Sequence, residues 1–251
     1  MVRETIRDLV ALDALVGGAR TADRALAAFR AAPRTDRDAV AAAGELGEVT
    51  GWLLFDAARH TEARWVNRAS LRLSGAAGDR AIALLTAQNT ALHEAYLGRP
   101  LTALRIARRV LAGRLSPRLS ALFRLREARA LALAGDSAAV RRFARVRALH
   151  SDGARDSDPA WAWWVDEPEL AWHEALVRGH CGDWSAAVDG FHGALELVPE
   201  TQVRRRYLFL ASLAAAQVEA GARRDAGRPW TACSLTSPPS APRARKRWCA
   251  G

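Results

Sequence analysis

The chain has 251 residues, half of them apolar and a quarter charged, with a formal net charge of +10. This is the composition of a folded globular protein, and no apolar run approaches the roughly 18 residues that a membrane helix needs. Glu4, Asp8, Asp13 and Asp23 interrupt the N-terminal stretch and exclude the apolar core of a signal peptide. Cys181, Cys233 and Cys249 are an odd and sparse set, which suits a reducing cytoplasm better than a disulfide scaffold.

The charge is unevenly spread. Residues 222–251 carry +6, which leaves +4 for the 221 residues before them. Acids and bases are interspersed through that body. Lys246 is the only lysine, so the Arg and Ala excess reads as the codon bias of a GC-rich genome. Counter-ion release from phosphates needs a clustered basic face, and no such face is expected of the body.

In chain order the reading is helix after helix, with no alternating run that would make a strand. Residues 3–16 are periodic and stop at Gly17-Gly18. Thr21 is read as the cap of a helix running to Pro33, and Thr35 with Asp38 as a capping box opening a helix to about Ala58. Thr61 starts the next, which ends between Gly75 and Gly78. Asp79 opens a helix to Leu97, Gly98 closes it, and Pro100 sits where a first-turn proline is tolerated. Ser116-Pro117 repeats that signal, and Gly135 ends the helix that follows. Asp136, Asp166 and Asp183 are further N-cap candidates. Pro199 and Thr201 separate the last two strong helices.

These helices pair, and the pairs repeat. A tetratricopeptide-type hairpin packs two helices on small residues, turns at a Gly and continues with an Ala. Ala175, Gly182, Trp184, Ala187, Phe191, Ala194 and Pro199 follow that pattern best. The turn positions Ala58, Gly98, Gly135, Gly182 and Gly221 are spaced 40, 37, 47 and 39 apart, longer than the ~34 of the standard repeat. The expected fold is therefore all-α, an α-solenoid of antiparallel helix hairpins over 1–226. An irregular bundle with accidental glycines is the alternative. Residues 227–251, rich in Pro, Ser and Arg, are expected to form a disordered tail, and a reading-frame shift would explain them.

Chemistry-bearing motifs are few. His173, His180, Cys181 and Asp183 lack metal-ligand spacing. His93-Glu94 and His173-Glu174 lack the second His of a zinc-protease helix. There is no phosphate loop and no Gly-x-Ser-x-Gly elbow. No metal, no cofactor and no enzymatic activity are expected. Five of the nine tryptophans lie in or just after Ser157–Glu174. Their rings could stack on a flat or cationic ligand, or pin a long connection into the core with Asp166 capping the next helix.

In stacked hairpins the first helix of each pair lines the binding surface. The repeat offsets place Glu48, Trp52 and Asp56 there, then Gln88, Leu92 and Tyr96 with Asn89 and His93 adjacent, then Arg126 and Arg129, then Glu169, Trp172 and His173. The candidate ligand residues are Glu48, Trp52, Gln88, Asn89, His93, Arg126, Arg129, Trp164, Trp172 and His173. Such a mixture suits capture of a peptide or small molecule. Packing between hairpins is the alternative for each one.

A family resemblance rests on several runs. They are Ala43-Gly44-Glu45-Leu46-Gly47-Glu48-Val49-Thr50-Gly51-Trp52, Leu97-Gly98-Arg99-Pro100, Leu115-Ser116-Pro117-Arg118, Phe123-Arg124-Leu125-Arg126-Glu127-Ala128-Arg129-Ala130 and Asp158-Pro159-Ala160-Trp161-Ala162-Trp163-Trp164. Over about residues 3–226 the chain resembles the C-terminal helical-repeat region of helix-turn-helix transcriptional regulators of the Cro/repressor class (the XRE family). The resemblance implies a cytoplasmic, non-enzymatic regulatory module that binds a peptide, a small-molecule effector or a partner protein, with no membrane contact. DNA would be reached only through a helix-turn-helix domain, and residues 1–40 offer no recognition helix. The alternatives are a protein–protein scaffold and a truncated regulator fragment without retained activity.

Overall fold

The structure is a computed structural model that describes residues 1–151, 153 and 155–221. Among them are eleven α-helices, one 3-10 turn and no strand. The chain is all-α and is built of successive helix hairpins. It divides into two compact units, Met1–Thr90 and a second that begins at Ala91.

The first unit holds α1 (Val2–Val16), α2 (Gly18–Ala31), α3 (Arg37–Asp56), α4 (His60–Ala77) and the start of α5 (Arg80–Tyr96). Its core joins Leu9, Leu26, Phe29, Leu46, Leu53, Leu54 and Val66. A small-residue stripe on α3 sets how closely the helices pack. A Cβ on Gly47 would stand 2.8 Å from the Phe29 ring and 3.0 Å from the Ser70 Cβ. Only a missing side chain there lets α2 and α4 approach α3 so closely.

The second unit continues α5 and adds α6 (Pro100–Leu111), α7 (Pro117–Leu133), α8 (Ala138–Ser151), a 3-10 turn (Ala160–Trp164), α9 (Glu167–His180), α10 (Trp184–Glu196) and α11 (Val203–Glu219). Helices α7 and α8 pair, as do α9 and α10, and α9 also packs on α7. Leu122, Leu125, Phe143, Val146, Leu170 and Val177 form one core. Trp172, Phe191, Phe209 and Leu213 belong to the next.

The five turn positions singled out by the repeat all have positive φ: Ala58 at 60°, Gly98 at 70°, Gly135 at 80°, Gly182 at 91° and Gly221 at 84°. The closing bonds recur as well. Gly98 N donates to Ala95 O and Arg99 N to Glu94 O, and Gly182 N donates to Gly179 O and Asp183 N to Arg178 O. This is the left-handed C-terminal closure that satisfies the last helical carbonyls.

Caps are partly as predicted. Ser116, Asp166 and Asp183 accept from the amides of Leu119, Glu169 and Ala186. Thr21 is not a cap. It lies inside α2, and its hydroxyl bonds back to Gly17 O and Gly18 O, because the helix already starts at Gly18. Asp36 rather than Thr35 caps α3, accepting from Ala39 N. Helix α4 starts at His60, one residue ahead of Thr61, with no side-chain cap.

The tryptophan-rich connection is pinned. Trp161 and Trp164 stack at 6.3 Å between centroids and pack against the α7–α9 core, whereas Trp163 is 69 % exposed. Residues 227–251, expected to form a disordered tail, lie outside the described residues.

Candidate functional site

The ten candidate residues fall in both units, and eight of them are buried. In the first unit, Glu48 on α3 meets Asn89 on α5. Asn89 Nδ2 donates to Glu48 Oε1 at 2.5 Å, and Gln88 Nε2 donates to Asn89 Oδ1 at 2.6 Å. Burial pushes the Glu48 carboxyl up to about 7, against the opposing bond from Asn89. Trp52 is half-buried on α3.

The second unit contains a charged cluster. Helix α7 buries both faces, with Leu119, Leu122, Phe123, Leu125 and Leu131 all inside, so Arg126 and Arg129 among them are shut off from bulk water, whereas Arg118, Ser120 and Arg124 on the same helix stay half-buried. Arg126 and Arg129, one turn apart, are 3 % and 4 % exposed. Opposite them α9 supplies Glu169, Trp172 and His173, and α11 supplies Arg205, Phe209 and Ser212. Arg126 Nη1 lies 2.8 Å from His173 Nε2, and the same nitrogen lies 3.1 Å from Glu169 Oε1. Trp172 Nε1 donates to Ser212 Oγ at 3.0 Å. Arg205 forks onto Asp166 at 2.5 and 2.9 Å and reaches Glu169 at 3.6 Å.

Flat groups form a chain of contacts through this cluster. The Arg129 guanidinium lies over Trp172, Trp172 stacks on Phe209 with an interplanar angle of 5°, and Arg205 lies over Phe209. Such contacts favour cations on aromatic faces. They do not replace the acceptors that a buried guanidinium requires.

The electrostatics follow from burial. It pushes Arg126 down to about 10. It does the same to Arg129, helped by the like charge of Arg126, and both stay cationic at neutral pH. His173 is pushed down to about 3 by burial and by Arg126, and His180 to about 4 by burial and Arg129, so both are neutral. Burial raises Glu169, but His173, Arg126 and Arg205 together outweigh it and hold the carboxyl below its usual value.

Arg126, Arg129, Trp172 and His173 therefore come together as one cluster. His93 is buried on α5, and Trp164 sits with Trp161 in the α7–α9 core. Sequence reasoning did not single out Arg205, Phe209 or Ser212. One signal was there: Ser212 precedes Gly221 by nine residues, as Arg126 precedes Gly135 and His173 precedes Gly182. A separate cleft of about 320 Å³ lies against α8, α9 and α10, but Arg147 and Arg178 there are already paired with Glu174. Among the described residues no three His, Cys, Asp or Glu side chains converge to hold a metal, and no helix is long and apolar enough to cross a membrane. No protein-family model matches this chain, and no curated protein sequence matches it.

Proposed function

We propose that the chain is a non-enzymatic regulatory binding module that captures a peptide or small molecule on the polar faces of its first-of-pair helices. The observation that carries this reading is the burial of Arg126 and His173 at equivalent positions of successive hairpins, each nine residues ahead of its turn glycine, with Arg129 buried and Glu169 half-buried beside them. Desolvating such groups costs several kcal/mol unless partners compensate. A fold that needed only packing would place apolar residues there.

Passing the bound state to a DNA-binding domain, as the family resemblance implies, requires a ligand that prefers one arrangement of the hairpins over another. Thermal shift of the full chain against fractionated culture extracts and short peptides tests the capture step. A saturable rise in melting temperature is expected. If no fraction shifts the protein, the reading fails in favour of a protein–protein scaffold. That second reading has its own support in the exposed Arg141, Arg142 and Arg145 of α8 and in the exposed Trp163.

A further inference from the structure

Acids and bases are interspersed along the chain, but on the second helices of two successive hairpins they segregate. Helix α8 carries Arg141, Arg142 and Arg145, all exposed, and no acid. Helix α10 carries Asp189 and Glu196, both exposed, and no Arg or Lys. Among the described residues none of these five has an oppositely charged partner, whereas Arg147 of α8 pairs with both Glu167 and Glu174 of α9. The three exposed arginines line a shallow groove of about 340 Å³ into which no carboxylate reaches. Like charges crowded on one helix face repel one another until something of opposite sign covers them.

The basic and acidic faces flank one cleft, the space of about 320 Å³ against α8, α9 and α10. Ala171 and Ala175 of α9 floor it, and Arg147 of α8 faces Gly190, Gly193 and Leu197 of α10 across it. With successive residues about 100° apart round a helix, the order on α8 from the cleft outward is Arg147, then Ala144 and Ala148, then Arg141 and Arg145. On α10 it is Leu197, then Gly193, then Asp189 and Glu196. Ala144, Ala148 and Gly193 are exposed, and Leu197 is 48 % exposed. The patch thus has an apolar, small-residue centre with a positive edge on one side and a negative edge on the other. Nothing stands within 4 Å of a Cβ placed on Gly193, so packing inside the chain does not require a glycine there, and alanine would suit the helix better.

We propose that this face docks a second copy of the chain about a two-fold axis running along the cleft. A two-fold contact uses the same patch twice, and this rotation lays α8 of each copy over α10 of the other. Arg141 and Arg145 of one copy then meet Asp189 and Glu196 of the other, and each Leu197 lies against the opposite Ala144 and Ala148. An acidic partner of another kind would satisfy only α8, and a basic one only α10. A second copy satisfies both edges at once. Exposed ion pairs add little affinity each. Burial of the apolar centre supplies the affinity, and the charges fix which edge meets which. The proposal concerns the second helices of the hairpins and stands apart from capture on the first.

The test is sedimentation equilibrium of the full chain at low and at high salt. The expected result is a monomer–dimer equilibrium in the micromolar range that weakens as salt screens the edges. Reversing the basic edge (Arg141→Glu with Arg145→Glu) should raise the dissociation constant at least about tenfold. Reversing the acidic edge (Asp189→Arg with Glu196→Arg) should do the same. Mixing the two variants should restore a dimer of wild-type affinity, because a wholly acidic patch then faces a wholly basic one. Two misfolded chains would not rescue each other. Leu197→Glu should weaken the dimer of the otherwise unaltered chain. The inference is overturned if the full chain stays monomeric at low salt, if a dimer forms but neither edge reversal weakens it, or if the mixed variants fail to pair. A monomer that binds nucleic acid or another protein through α8 alone would overturn it as well.

Discussion

The guanidinium carbon of Arg129 lies 6.0 Å from the centroid of the Trp172 ring, and that ring stacks on Phe209 at 5.5 Å. Trp172 is thus the common neighbour of α7 and α11, and its indole N–H is satisfied by Ser212. Trp172→Ala should destabilise the second unit by about 3–5 kcal/mol, because it opens a cavity and strips Arg129 of its one aromatic face. Urea unfolding monitored by circular dichroism checks this. A loss below about 1 kcal/mol would mean that the ring is not part of the packed core.

Ala58 stands where the other four repeat turns have Gly, at a φ of 60°. A side chain in that conformation costs roughly 1–2 kcal/mol, part of which glycine's larger loss of chain entropy offsets. Ala58→Gly should therefore raise stability by about 0.5–1 kcal/mol. Gly182→Ala should lower it by a similar amount for the converse reason. Paired melts of the two variants give the signs directly.

The small-residue stripe of α3 makes a steric prediction. Gly47→Ala would press a methyl group on the Phe29 ring and the Ser70 Cβ, both within core contacts. The expected cost is about 1–3 kcal/mol, typical of overpacking. The same substitution at Gly75, which has open space around its Cβ position, should cost nothing and is expected to stabilise the helix. Thermal melts of the two variants side by side separate packing from propensity.

Two buried groups give opposite pH dependences. The Glu48 carboxyl, raised by burial from 4.5 to about 7, holds a proton in the folded state that the unfolded chain releases. Its contribution is complete below pH 4.5 and is lost as pH rises through about 7. Glu48→Gln keeps the acceptor for Asn89 and should flatten that fall, which is at most about 3 kcal/mol. His173, lowered by burial from 6.5 to about 3, refuses a proton that the unfolded chain takes up. Its contribution is complete above pH 6.5 and is lost on acidification towards pH 3. His173→Gln should blunt that acid loss. Stability measured from pH 4 to pH 8 for the wild type and both variants should show the two slopes separating, and parallel curves would contradict the assignment.

Much of the fold is legible along the chain because its punctuation is local. A turn at Gly98, Gly135 or Gly182 depends on φ at one residue and on two hydrogen bonds reaching back a few positions. Asp166 and Asp183 cap their helices through an amide three residues ahead. Thr21 shows the limit of such reading: a hydroxyl that could cap also bonds inside a helix, and the extension of α2 back to Gly18 decides between the two. The offsets likewise bring Arg126 and His173 to the same place on successive first helices, each nine residues ahead of its turn glycine.

The amino-acid sequence by itself determined that this protein is a run of helix hairpins, where they turn, and which polar residues sit on their first helices. The tertiary structure alone decided that Arg205 and not Arg129 takes Asp166, that one nitrogen of His173 serves two neighbours, and that a unit boundary falls inside α5 after Thr90. The Arg205–Asp166 and Arg126–His173 contacts join residues 39 and 47 positions apart, and they depend on how far helices approach and which side chain arrives first. Periodicity sets the face a residue occupies. Packing sets the partner it finds there.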